Sequence, residues 1–163
     1  MKNVKFLLSA ALVFLASAAL AQDFSGPQYA KWGATPEERE QNILNSNFLK
    51  ESCDNRDYDA AAHYLKGLID KIPDAAESIY QRGAVVYKNK INRAKSVAEK
   101  NMFIDSLMLM YDMRAQYFGD NVKPGKTAFI LDQKAREFLR YKPNDRKGIR
   151  EAFRAAIAQG GDS

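Results

Sequence analysis

The residues that could do chemistry in this 163-residue chain are few, and their spacing decides against most of it. Cys53 is the sole cysteine and His63 the sole histidine. A thiol beside an imidazole makes a nucleophile when the base stands within hydrogen-bond reach, and both residues fall near the same helix turn. No orienting acid and no oxyanion loop accompany them, so Cys53 reads as a small, partly buried residue. One Cys and one His do not furnish the four ligands of a structural zinc site. Asp54, Asp57 and Asp59 lack the ligand spacing, the Gly and the terminal Glu of a calcium loop. Gly125-Lys126-Thr127 copies the end of the phosphate-binding pattern G-x-x-x-x-G-K-[ST], but Gly119 stands one residue too far away and no strand leads in. This stretch reads as a turn before a helix. The expectation is a chain with no catalytic residues, no metal and no cofactor.

Whatever these side chains do, they must be arranged around Asn101 to Gly119, a stretch without Pro or internal Gly. Met102, Phe103, Ile104, Leu107, Met108, Leu109, Met110, Tyr111, Met113, Tyr117 and Phe118 cover most of a helical circumference. Only Asp105, Ser106, Asp112, Arg114 and Gln116 break the pattern. A surface helix confines its apolar residues to one stripe. This one is therefore expected to be central, with other helices packed on more than one side. A methionine-rich run also suits an adaptable binding surface, but the core role is the simpler one.

Residues 1–21 form a separate element. Lys2 and Lys5 precede an apolar run from Phe6 to Leu20, and Ala19-Leu20-Ala21 supplies small residues for signal peptidase. The pattern is a secretory signal, with cleavage expected between Ala21 and Gln22. Its apolar core is shorter than the roughly 20 residues of a comfortable membrane span. No Cys follows at the cleavage point to take a lipid. The mature chain is thus expected in the periplasm, or secreted, without a membrane span. Loss of Lys2 and Lys5 reduces the excess of basic over acidic side chains from five to three. A nucleic-acid binder would carry a basic stripe with a reading element. The clusters Arg136/Arg140/Lys142 and Arg146/Lys147/Arg150 are short and read as solvated helix faces, so no nucleic-acid partner is expected. A single Cys permits no internal disulfide despite the export signal. The absence of an Asn-x-Ser/Thr acceptor agrees with a bacterial periplasm.

Residues 22–34 read as an N-terminal arm, with Tyr29 and Trp32 folding back on the first helix. Thr35-Pro36-Glu37-Glu38 opens that helix as a capping box with Pro at the first helical position. Six helices follow over 35–159, with a flexible end at 160–163. They run 36–53 and 57–71, then 74–95 and 98–118, then 126–141 and 145–158. Asp74 is expected to cap the third. Ile43, Leu44, Phe48 and Leu49 mark the buried side of the first, Val85 with Ile79, Ala84 and Val86 that of the third, and Phe129, Ile130, Leu131, Phe138 and Leu139 that of the fifth. No run alternates with period two, so the class is all-α. Short connections imply antiparallel neighbours, and three stacked helix hairpins describe an α-solenoid.

The first hairpin carries a family resemblance. Phe48-Leu49, Asp57-Tyr58, Ala61, Leu65 and Pro73 resemble the tetratricopeptide repeat (TPR), where a small residue lets two helices approach, an aromatic fills the gap and Pro stops the second helix. Gly83 falls where the next repeat wants its close-packing small residue, with Tyr87 beyond it. The chain departs from the pattern in several places. Asn45 and Ile79 replace usual aromatics, the second hairpin exceeds the repeat's ~34 residues, and Gly160-Gly161 stands in place of a closing Pro. The chain is similar to exported TPR-like proteins of Gram-negative bacteria, which implies a scaffold for a protein or peptide partner. Carried over by position, the resemblance implies a concave face lined by Ser46 and Lys50, Tyr80 and Tyr87, and Lys134 and Tyr141. An exported enzyme or enzyme accessory subunit is the alternative. The apolar stripe Ile149, Ala152, Phe153, Ala156 and Ile157 of the sixth helix leads to a further expectation. The last hairpin should meet a second subunit, a different protein or a further repeat.

Overall fold

Thr35 starts the first long helix by the reciprocal bonds its sequence promises. Its hydroxyl accepts from the Glu38 backbone at 3.2 Å, and the Glu38 carboxylate accepts from the backbone of Ala34 and Thr35. In the computed structural model residues 23–160 are described. The secretory signal read over residues 1–21, with residue 22 and residues 161–163, lies outside the described residues. A 3-10 turn at Pro27–Trp32 precedes six helices: α1 (Pro36–Asp54), α2 (Tyr58–Lys71), α3 (Glu77–Arg93), α4 (Val97–Phe118), α5 (Lys126–Tyr141) and α6 (Arg146–Gly160). The fold is all-helical, with no strand among the described residues. None of these helices is long and apolar enough to cross a membrane.

The remaining helix starts follow local chemistry. Asp57 caps α2 by accepting from the Ala60 backbone at 3.1 Å, and Ser96 caps α4 by accepting from Glu99 at 3.1 Å. Gly125 enters α5 with φ +76°, a left-handed conformation that glycine adopts without steric cost. Asp74 does not cap α3. That helix begins later, after Ala76, which has no capping side chain, and the Asp74 carboxylate instead lies 3.6 Å from Lys31. The N-terminal arm does return to α1: Asn42 is buried and donates its amide to the Trp32 carbonyl at 2.8 Å.

Consecutive helices pack in antiparallel pairs. Phe48 and Tyr64 meet across α1 and α2 with ring centroids 5.3 Å apart. Glu77 at the start of α3 bonds Arg114 near the end of α4, and Gly148 near the start of α6 abuts Phe138 near the end of α5. Contacts of α2 with α3, of α4 with α5 and of α1 with α3 join the pairs. Two apolar clusters result. Leu49, Leu65, Leu68, Ile79, Tyr80 and Val86 centre the first, and Ile91, Phe103, Ile104, Leu107, Tyr111 and Ile130 the second.

Helix α4 belongs to both clusters, through Met110 and Phe118 on one side and Phe103, Ile104, Leu107 and Met108 on another. It is therefore the central helix, but not an all-round apolar one. Met102 and Leu109 are exposed with Asp105, Asp112 and Gln116, which leaves one solvent stripe at helical spacing. Other expected core positions also turn outward: Leu44, Val85, Phe129 and Leu139 are exposed, because Leu49, Val86, Ile130 and Ala135 face the core in their place. On α6, Ala156 is buried and Ile149, Ala152 and Phe153 are half-buried, while Ile157 is exposed.

Candidate functional site

Most of the groups with chemical potential already have partners within the fold. Cys53 packs half-buried against the first cluster, and burial pushes its thiol pKa up, which disfavours the nucleophilic thiolate. His63 lies against the Tyr64 ring at 5.6 Å, and no hydrogen bond joins it to Cys53 among the described residues. Asp54 pairs with Lys50 at 2.7 Å, Asp57 caps α2 and Asp59 pairs with Lys90. In the Gly125-Lys126-Thr127 turn, the Thr127 hydroxyl accepts from the Asp120 backbone while the Asp120 carboxylate accepts from Thr127 N–H, both at 2.9 Å. Lys126 bonds Glu77 at 2.6 Å. The turn is closed on itself, as a helix entrance requires.

The six positions carried over from the repeat do not form one exposed row. Two outward-looking assignments are corrected. Ser46 is buried, and Tyr80 is 1% exposed with its hydroxyl donated to the Pro73 carbonyl at 2.6 Å. Burial raises the Tyr80 pKa and keeps the phenol protonated. Tyr87 is half-buried against both clusters, and Tyr141 against the second, where burial raises its pKa as well. Lys50 is exposed, and Lys134 reaches toward α4 rather than α3. Tyr80 is held inward by α4, where its ring lies against Tyr117 and Phe118, and α1, which carries Ser46, packs on α3. Glu77 of α3 bonds both Lys126 of α5 and Arg114 of α4, and Arg114 also donates to Gln133 of α5 at 2.9 Å. Lys88 of α3 pairs with Glu137 of α5, whose second oxygen is buried without a hydrogen bond and lies 3.8 Å from Arg140. Burial works against the charge of Glu77, yet the bonds from Lys126 and Arg114 hold its pKa below the ordinary glutamate value. These side chains link α3 and α4 to α5.

The larger opening lies on the other side of α5. Between α4, α5 and α6 runs a groove of about 700 Å³. Met108, Leu109, Phe138, Gly148, Ala152 and Ala155 make its apolar surface, and Asp105, Asp112, Lys134, Asp145 and Glu151 its polar edge. Lys134 binds both oxygens of Asp112, at 2.6 and 2.7 Å. The Asp145 carboxylate accepts from the Gly148 backbone at 2.9 Å and so caps α6. Glu151 lies 3.9 Å from the exposed Lys147.

No family model, curated protein or solved structure matches this chain.

The groove's own residues set its chemistry. It holds four carboxylates against one ammonium, on a chain that carries a net positive charge overall. Groove volumes of about 300–1,000 Å³ with a mostly apolar lining suit ligand recognition. Three or more His, Cys, Asp or Glu side chains poised to hold a metal ion do not occur together among the described residues. The α4 side of the groove had a signal in Asp105 and Asp112 at helical spacing, but the apolar Leu109 between them hid it. The α6 side had a signal in the small residues Gly148, Ala152 and Ala155. Their union was not legible, because it depends on the angle at which α6 returns along α5.

Proposed function

We propose that the chain is an exported TPR-like scaffold that binds a protein or peptide partner in the cell envelope, with no catalysis of its own. The observation that carries the proposal is the open groove along α4, α5 and α6, apolar at its base and charged at its edge. Antiparallel helix pairs that pack in chain order support an α-solenoid arrangement. Pro73, just after α2, and the buried Gly83 of α3 stand where a repeat of this family would use a helix stop and a small contact residue. The Lys134 side chain contributes to the proposed binding surface as a groove residue. Lys50, Tyr87 and Tyr141 lie outside it, with Ser46 and Tyr80 closed off. The exposed Phe129, Leu139 and Ile157 on the last pair supply a surface for association with a second subunit or another protein.

Tagged chain expressed in its own host, crosslinked in intact cells and recovered from the envelope fraction, tests the proposal. The expected result is a mature protein lacking residues 1–21 by intact mass, together with a discrete adduct to another protein. A mature chain that retains Lys2 and Lys5, or one recovered from the envelope without any adduct, refutes it.

A further inference from the structure

The groove between α4 and α6 has a charge and shape that define one kind of occupant. Leu109 is 49% exposed on the α4 side and is flanked one turn away by Asp105 and Asp112. Asp105 makes no ion pair or hydrogen bond among the described residues. An exposed apolar side chain bordered by an unpaired carboxylate is complementary in charge and polarity to a cationic amphipathic segment.

The opposite wall is built for close approach. Ala152 and Ala155 stand three residues apart on α6 and bring no bulky side chain to the groove, while Gly148 one turn earlier is closed against Phe138 and the Asp145 carboxylate. Helix axes settle about 8–10 Å apart, and small residues permit the lower end of that range. From Asp105 to Asp112 the α4 wall covers two turns, about 11 Å at a rise of ~1.5 Å per residue. A partner helix of two to three turns matches that length. Its apolar residues at i, i+3 and i+4 would meet Leu109, Met108 and Phe138, and flanking Lys or Arg would meet Asp105 and Glu151.

We infer that this groove docks a short basic amphipathic helix of a partner protein, with Leu109 as the apolar contact and Asp105 and Glu151 as the charge contacts. The inference rests on the scaffold proposal and specifies where and what the scaffold binds.

Fluorescence anisotropy with labelled model peptides tests it. One probe carries a leucine stripe at helical spacing with lysines elsewhere. A second replaces the lysines with glutamates, and a third scrambles the first to abolish the stripe. The purified chain should bind the leucine–lysine peptide at least about tenfold more tightly than either control. The Asp105→Lys/Glu151→Lys variant should lose at least about tenfold in affinity for it and gain preference for the leucine–glutamate peptide. Ala155→Trp, which fills the groove from an exposed position, should weaken binding without shifting the melt. Equal binding of the first and scrambled probes, no binding of any probe, or unchanged affinity in the charge-reversed variant overturns the inference. So does a dimer on light scattering that the charge reversal breaks apart, since the groove would then hold a second copy. Envelope crosslinking to a partner would survive any of these failures. Loss of the groove inference is thus separable from loss of the scaffold proposal.

Discussion

Gly83 of α3 lies between Leu65 of α2 and Met110 of α4, and replacing it tests the packing directly. A Cβ built there would stand 2.6 Å from Met110 Sδ, 3.1 Å from Met110 Cγ and 3.2 Å from Leu65 Cδ1. Met110 is 1% and Leu65 0% exposed, so neither can swing into solvent. Gly83→Val puts three carbons into that space. Overpacking costs about 1–3 kcal/mol, and the better helix propensity returns only a few tenths to about half a kcal/mol. The expected net loss is about 2 kcal/mol, or roughly 8 °C in Tm for a domain of this size. Met110→Ala alone empties a buried site and should cost about 2–5 kcal/mol. The double variant Gly83→Val/Met110→Ala should lose less than the two single losses combined, by about 1–2 kcal/mol, because the valine occupies the vacated volume. Urea and thermal melts followed by far-UV circular dichroism give these numbers. Gly67→Ala on α2 is the control. A Cβ there meets nothing within 4 Å, so this change should stabilise by up to about 1 kcal/mol. A Gly83→Val melt equal to that of the native chain, or strict additivity in the double variant, would refute the close contact of the three helices.

Three further outcomes follow from particular side chains. Glu77→Gln should destabilise by about 2 kcal/mol at neutral pH, since Arg114 and Lys126 lose their shared carboxylate. The folded pKa of Glu77 is depressed, so its contribution is present above the ordinary glutamate value and lost as pH falls through the folded value. The native and variant melts should therefore converge in acid, and a gap independent of pH would contradict this. Tyr80→Phe should cost about 1 kcal/mol through loss of the bond to the Pro73 carbonyl; in an alkaline ultraviolet titration of the native chain, one tyrosine that the variant lacks should ionise well after the others. Cys53 should react with a thiol reagent at least about tenfold more slowly than a free cysteine until the chain unfolds, consistent with its half-buried place and raised pKa. Reaction at the free rate in native buffer would show an open thiol.

Much of the helical layout was legible because its punctuation is local. The capping box at Thr35 and Glu38, Asp57 before α2, Pro73 after it and Gly125 before α5 act within a turn of the chain. The start of α3 was misplaced for the same kind of reason. Asp74 has the chemistry of a cap, but it is drawn to Lys31, which is distant in sequence. The site was less legible. Repeat position placed Tyr80 and Ser46 on an outer face, whereas Tyr80 is closed in by its ring pairs with Tyr117 and Phe118 of α4. Those pairs join residues far apart in sequence, and no local pattern announces them. The apolar residues of α4 foretold its central position. Its solvent stripe was hidden by Met102 and Leu109, which are apolar yet exposed.

The central claim is that the α4–α6 face is where a protein partner sits. A photoreactive amino acid placed at Leu109, with Val85 on the exposed face of α3 as the control position, tests it in living cells. Illumination should give a discrete protein adduct from Leu109 and none from Val85, with the Leu109 adduct lost in the Asp105→Lys/Glu151→Lys background. An adduct from Val85 alone, or none from either position, would contradict the account.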